Sequence, residues 1–133
     1  MTTNYFDTLI TIAEDSPTHT SIVPDLSKPS VAAQQFQWIT ERPYELTSDD
    51  VIFRRVAEKQ GIADHLRQSA QAEYFHTGRA CLRTSPLAKQ YGWGIHANED
   101  GKIALVAAES ETYKTLIADD RVKKVTAMRS KRN

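Results

Sequence analysis

The segment GWGIHANEDGKIALVAA, residues 92–108, decides the fold class. Its two halves are extended runs of apolar and small residues, and between them stands Asn98-Glu99-Asp100-Gly101. Asn and Asp side chains bond back to a tight turn's own backbone, and glycine enters the left-handed region without a steric cost. The pattern predicts a β-hairpin, with a strand opened by Gly92 to His96 pairing through that turn with Lys102 to Ala108. A hairpin alone is marginal in water, so the remaining chain must cover it.

Working outward, Asn4 to Ala13 (NYFDTLITIA) is rich in β-branched and aromatic residues. Tyr5, Asp7 and Leu9 fall on one face and Phe6, Thr8, Ile10 and Ile12 on the other, which predicts a strand. Glu14 to Pro29 holds three prolines and predicts a long surface loop, with His19 exposed on it. Ser30 caps a helix from Val31 to about Glu41, its inner stripe formed by Val31, Phe36, Trp38 and Ile39, and Pro43 ends it. Thr47-Ser48-Asp49-Asp50 starts a second helix with Val51, Ile52, Phe53 and Val56 inward, stopped by Gly61. A third runs from Ile62 or Asp64 to His76, with Leu66, Ala70, Tyr74 and Phe75 inward and Gly78 as its cap.

Ala80-Cys81-Leu82 reads as a short extended piece. Ser85-Pro86 opens a brief helix to Gln90, because proline at the first helical position loses no hydrogen bond. After the hairpin, Ser110-Glu111-Thr112 starts a helix to about Asp119 that packs through Tyr113, Leu116 and Ile117. Val122 to Met128 alternates imperfectly and is assigned to a last strand. The sum is an α+β fold: a mainly antiparallel sheet of three to four strands with helices packed on one face.

At 133 residues, with 40% hydrophobic and 26% charged, residues 1–133 form one domain with a core of ordinary size. One cysteine cannot make an internal disulfide, which fits a reducing cytoplasm. No basic leader precedes Leu9, Ile10 and Ile12, and no stretch approaches the roughly 20 apolar residues that span a bilayer. The expectation is a cytoplasmic protein with no membrane partner. Charge is uneven: residues 1–120 hold 11 Lys and Arg against all 17 Asp and Glu, and six cations follow from Arg121 onward. The basic tail, about 129–133, lacks interleaved aromatic residues. It therefore fits a solvated segment, or one folded back on the acidic body, better than a nucleic-acid arm.

Several residues carry candidate chemistry. Cys81 lies between Arg79 and Arg83, and cations beside a thiol favour the nucleophilic thiolate. With His96 or His76 as base it would make a nucleophilic enzyme; packed under the third helix it would be core. The Ser85 helix start, with free amides near Leu87 and Ala88 and with Arg83 and Lys89 close by, suits a small anion. Trp93, His96 and Arg42 complete that candidate ligand set. Asp49 and Asp50 are explained as caps rather than as a cation site, since adjacent helical carboxylates do not face each other. His76 and Cys81 make two metal ligands without a second pair, so no metal is implied, and the residues do not identify a cofactor.

The runs Asn4-Tyr5-Phe6-Asp7-Thr8, Glu41-Arg42-Pro43-Tyr44 leading to Thr47-Ser48-Asp49-Asp50-Val51, Cys81-Leu82-Arg83-Thr84-Ser85-Pro86-Leu87, Tyr91-Gly92-Trp93-Gly94-Ile95-His96 and Gly101-Lys102-Ile103-Ala104-Leu105 go further. With Glu109-Ser110 and the Met128 to Arg132 tail, they resemble a family of small, mostly bacterial proteins known as domain of unknown function 6157. The resemblance spans nearly the whole chain and implies no activity. From the residues themselves the leading reading is a binding protein for a small anionic ligand at the Ser85 helix start. The alternatives are the Cys81 enzyme and a protein- or nucleic-acid-interaction module using the tail.

Overall fold

The computed structural model describes residues 1–131; Arg132 and Asn133, the end of the predicted basic tail, lie outside the described residues. The elements in chain order are β1 (Thr8–Thr11), α1 (Val31–Glu41), α2 (Ser48–Gln60), α3 (Asp64–Tyr74), a 3-10 turn (Leu82–Thr84), α4 (Pro86–Gln90), β2 (Trp93–Ala97), β3 (Ile103–Ala107), α5 (Glu111–Ala118) and β4 (Lys123–Thr126). The fold is α+β, with one four-stranded sheet ordered β3-β2-β1-β4.

The sheet is mixed. The hairpin pairs Ile95 with Leu105, β1 joins β2 antiparallel with Ile10 opposite Ile95, and β4 lies parallel to β1 with Ile10 opposite Val125. The sequence favoured a mainly antiparallel sheet, and two of the three strand pairs are antiparallel. The β1–β4 pair departs from it because a long, helix-rich connection brings β4 back to the free edge of β1 in the same direction.

Two faces of this sheet are covered. Ile10, Ile95, Ala97 and Ile103 form the main core with Trp38, Ile39, Val51, Leu82 and Leu87, contributed by α1, α2, the 3-10 turn and α4. Gly94 points the other way, and a methyl group there would meet the Tyr113 ring and the Leu9 side chain. Thus α5 packs on the face opposite the other helices, an addition to the one-sided arrangement expected. β1 is therefore covered on both faces, with Leu9 and Ile10 both buried. Central strands buried on both faces do not alternate cleanly, which accounts for the imperfect pattern of Asn4 to Ala13.

Local signals hold at most helix ends. Ser30 Oγ accepts from the Ala33 amide, Thr47 and Asp50 make a reciprocal capping box, and Gly61 adopts a left-handed conformation past α2. Asp49 does something else: its carboxylate accepts from Thr2 Oγ1, the Thr3 amide and Thr3 Oγ1 at 2.6–2.8 Å, pinning the N-terminal segment to α2.

α3 differs from expectation. It has no buried residue, Leu66 is half exposed, and the helix ends at Tyr74 with Phe75 as its C-cap, so Gly78 lies beyond it and caps nothing. Only Phe75 and Tyr74, with Ala70, pack onto Phe53 and Ala57 of α2. A helix with one neighbour needs only one edge apolar.

The 14–29 loop is fastened rather than free. The Ile22 amide donates to the Tyr91 carbonyl at 2.8 Å, Trp93 Nε1 donates to the Ile22 carbonyl at 2.9 Å, and the Ser21 amide and hydroxyl donate to the Glu109 carboxylate. The tail folds back on the acidic body: Arg129 pairs with Glu14, and the Ser130 and Lys131 amides each donate to the Asp15 carboxylate at 3.0 Å. Those amides, Lys131 first, hold the Asp15 carboxyl below its ordinary range.

Candidate functional site at His96

The alternation of β2 puts Ile95 and Ala97 into the main core, so His96 must project from the opposite face. Its row neighbours there are Leu9 and Ala104. α5 covers this face through Tyr113 at the level of Gly94, but it spans only eight residues. Towards its C-terminal end the face opens into a cleft of about 490 Å³ lined by Asp7, His96, Glu99, Leu116, Asp119 and Arg121, among others.

The imidazole is held from outside the cleft. Residues 44–47 run along the free edge of β3, with the Tyr44 amide donating to the Ile103 carbonyl and the Ile103 amide donating to Leu46, both at 2.9 Å. From that edge the Tyr44 hydroxyl reaches His96 Nδ1 at 2.9 Å, and the two rings stand at 82° with centroids 5.6 Å apart. Burial pushes the Tyr44 phenol up, so it remains a neutral hydroxyl at pH 7. Burial also lowers the His96 pKa, and the charge of Asp7 acts in the opposite direction without reversing it. His96 is therefore a neutral imidazole at pH 7.

Asp7 and Tyr44 share a second property. Among the described residues they are the two non-glycine positions with positive φ, 48° and 58°. Asp7 sits where β1 begins, its amide donating to the Asn98 carbonyl and its carbonyl accepting from the Lys123 amide, so it is locked between β2 and β4. Asp tolerates this conformation better than most residues, whereas a tyrosine there costs of order 1–2 kcal/mol. Such outliers persist where the surroundings over-determine them, and they gather at functional sites. At the far wall, Arg121 pairs with Asp119 through Nε at 3.1 Å and through a terminal nitrogen at 3.0 Å. That pairing pulls the Asp119 carboxyl down to about 2.

The other candidates from the sequence are scattered. Ser85 is buried; its hydroxyl donates to Gln35 Oε1 at 2.6 Å and accepts from the Leu87 amide at 3.2 Å. The helix start is thus closed by the protein itself. Arg83 Nε donates to the Thr126 carbonyl at 2.7 Å on β4, while exposed Arg42 lies near the β3 edge and faces Glu45 at 3.5 Å. With β3 and β4 at opposite edges of the sheet, the two arginines do not share a pocket. Trp93 faces the main core, its ring edge-on to Phe36 at 5.4 Å, and so lies on the other side of the sheet from His96.

Cys81 has its sulfur 3.3 Å from the Tyr5 hydroxyl. Tyr5 is pushed up to about 12, by burial first and then by the bond to Cys81, with Arg83 opposing. Arg79 turns away and stacks on Tyr74 at 3.9 Å, so the thiol is not framed by two cations. Because Tyr5 packs on the helix-side core, Cys81 and His96 lie on opposite sides of the sheet, which does not bring the nucleophile–base pair together. His76 is exposed, 3.9 Å from Glu73. Among the described residues no three His, Cys, Asp or Glu side chains are placed to hold a metal, and no helix is long and apolar enough to cross a membrane.

Of the cleft residues, the sequence pointed to His96 alone and missed Asp7, and it gave no sign that Tyr44 holds the ring from outside the cleft. The one available signal was Asp7 itself, a carboxylate interrupting an otherwise apolar strand pattern.

The molecule is thus an α+β protein whose mixed sheet presents a half-buried, neutral histidine at an open polar cleft. It belongs to the family of unknown function DUF6157, whose profile matches residues 1–133. No curated protein and no solved structure matches the chain.

Proposed function

We propose that the protein binds a small polar ligand in the cleft beside His96, with the imidazole as its fixed hydrogen-bonding group. The observation that supports this is the Tyr44–His96 bond, made from a strained tyrosine to a half-buried ring whose other edge borders a cleft of about 490 Å³. Ligand sites are concave, largely pre-formed and carry a few convergent polar groups. A ring tethered at one nitrogen keeps its orientation before a ligand arrives, which lowers the entropic cost of binding. The reading keeps a small-ligand role but moves it from the Ser85 helix start, whose hydroxyl and first free amide are already bonded to each other and to Gln35.

The test is a fragment screen by NMR on the full chain, following the His96 Cε1 resonance. Ligands should shift that signal in wild type, and His96→Gln should bind them at least about tenfold more weakly, the loss of about 1.4 kcal/mol expected for one good hydrogen bond. Fragments that bind equally to wild type and His96→Gln would refute the assignment.

A further inference from the structure

We infer that Tyr44 locks His96 in the tautomer carrying its proton on Nε2, so that the cleft offers an N–H donor and selects a neutral carbonyl or amide oxygen. The inference rests on the reading of the His96 cleft as a ligand site and assigns that site a ligand class.

The first step is the direction of one hydrogen bond. A neutral imidazole has one donor nitrogen and one acceptor, and the bond made by the first decides what the second presents. Tyr44 OH and His96 Nδ1 are 2.9 Å apart, and either group can donate on geometry alone. A phenol hydroxyl is an acidic donor, whereas its oxygen, whose lone pair is drawn into the ring, accepts poorly. Imidazole nitrogen is the best neutral acceptor among side chains. The stronger arrangement is therefore Tyr44 O–H donating to Nδ1, which leaves the proton on Nε2. The edge-on packing of the rings holds this pairing in place. Among the described residues His96 makes no other side-chain hydrogen bond, so its Nε2–H is available.

The second step concerns what that donor meets. Carbonyl, amide and carboxylate oxygens all accept from N–H. Charge separates them: the cleft is bordered by the carboxylates of Asp7 and Glu99, and its cation, Arg121, is already paired with Asp119. From β4, Lys124 is directed to the Asp119 carbonyl on the same wall. An anion would approach two carboxylates that, among the described residues, have no cation partner, while a neutral oxygen acceptor meets no such penalty. The arrangement also argues against His96 acting as a general base at neutral pH, since the nitrogen with a free lone pair is the one that Tyr44 occupies.

The experiment uses the full chain with uniformly 15N-labelled histidine. A long-range proton–nitrogen correlation spectrum at pH 7.5 distinguishes a protonated ring nitrogen from an unprotonated one. His96 should show a protonated Nε2 and an unprotonated Nδ1 in wild type, and a mixed tautomer population in Tyr44→Phe, which keeps the ring but not the hydroxyl. Acetamide and acetate, equal in size and shape, are then titrated as probes. Acetamide should move the Nε2 resonance and bind about fivefold more tightly than acetate, the scale of a like-charge contact near water. A proton found on Nδ1 would overturn the tautomer assignment while leaving the cleft as a ligand site. Acetate binding as well as acetamide would overturn the ligand class. If neither probe moves His96, and the fragment screen also finds nothing, the ligand-site reading itself falls.

Discussion

Gly92 and Gly61 provide a matched pair of perturbations whose costs separate cleanly. Both have positive φ, +75° and +67°, so alanine at either site carries the same left-handed penalty of about 1 kcal/mol. Their surroundings differ. A Cβ at Gly61 meets nothing within 4 Å, whereas at Gly92 it would stand 2.2 Å from the Thr20 carbonyl oxygen and 2.7 Å from its carbon. Relief requires the loop backbone to lift off β2. That movement breaks the bond from the Ile22 amide to Tyr91 and the one from Trp93 Nε1 to Ile22, about 1 kcal/mol each. Gly61→Ala should thus cost about 1 kcal/mol and Gly92→Ala about 3 kcal/mol. With an unfolding entropy of roughly 2.1 cal/mol/K per residue, a chain of this length loses about 4 °C of Tm per kcal/mol. Calorimetry should show Tm falling by about 4 °C for Gly61→Ala and about 11 °C for Gly92→Ala. Hydrogen exchange at the Ile22 amide should accelerate only in the second. Equal Tm losses, or an Ile22 amide that stays protected in Gly92→Ala, would refute the claim that the 14–29 loop is clamped through Gly92.

Three further outcomes follow from the polar groups. His96 should titrate below the ordinary value of about 6.5, because burial disfavours its charged form. The unfolded chain then binds the proton more readily, so His96's contribution to stability is complete above that value and is lost as pH falls towards the folded pKa. Urea midpoints should drop from pH 7.5 to 5.5 less steeply in His96→Gln than in wild type. Asp7→Asn, which keeps a residue suited to φ of 48°, should lower the His96 pKa further by NMR, and a rise would contradict the role given to Asp7. Ser85→Ala removes the α4 cap and leaves Gln35 Oε1 unpaired inside the core. It should cost about 2–3 kcal/mol in urea unfolding yet leave the probe response at His96 intact; a loss below about 0.5 kcal/mol would mean that the Gln35 contact is dispensable.

Much of the architecture was legible because it is written locally. The α1 and α4 spans, the caps at Ser30, Thr47 and Ser110, and the turn at Asn98 to Gly101 agree with their sequence signals. β4 was also assigned, although its shorter extent, Lys123–Thr126, reflects where its edge pairing with β1 stops. The ligand set was less legible. Arg83, Ser85, Trp93, His96 and Arg42 looked like one pocket because several are close in sequence. Strand alternation puts Trp93 and His96 on opposite faces, and the sheet order puts Arg42 and Arg83 at opposite edges. Ser85 read correctly as a cap, but its burial depended on Gln35, a polar residue on the inner face of α1 that amphipathic patterning assigns outward.

By itself, then, the sequence determined family membership, the α+β class, the helix boundaries other than the end of α3, and the hairpin. Each local feature depends on backbone groups and side chains only a few residues apart, where spacing and residue type suffice. The tertiary structure alone decided the parallel β1–β4 pairing, the placement of α5 on the second face, and the meeting of Tyr44 with His96, 52 residues apart. Those contacts are selected by which strand edges and apolar faces the whole chain must cover together. No window of sequence contains that competition, so the cleft became visible only once the sheet was assembled.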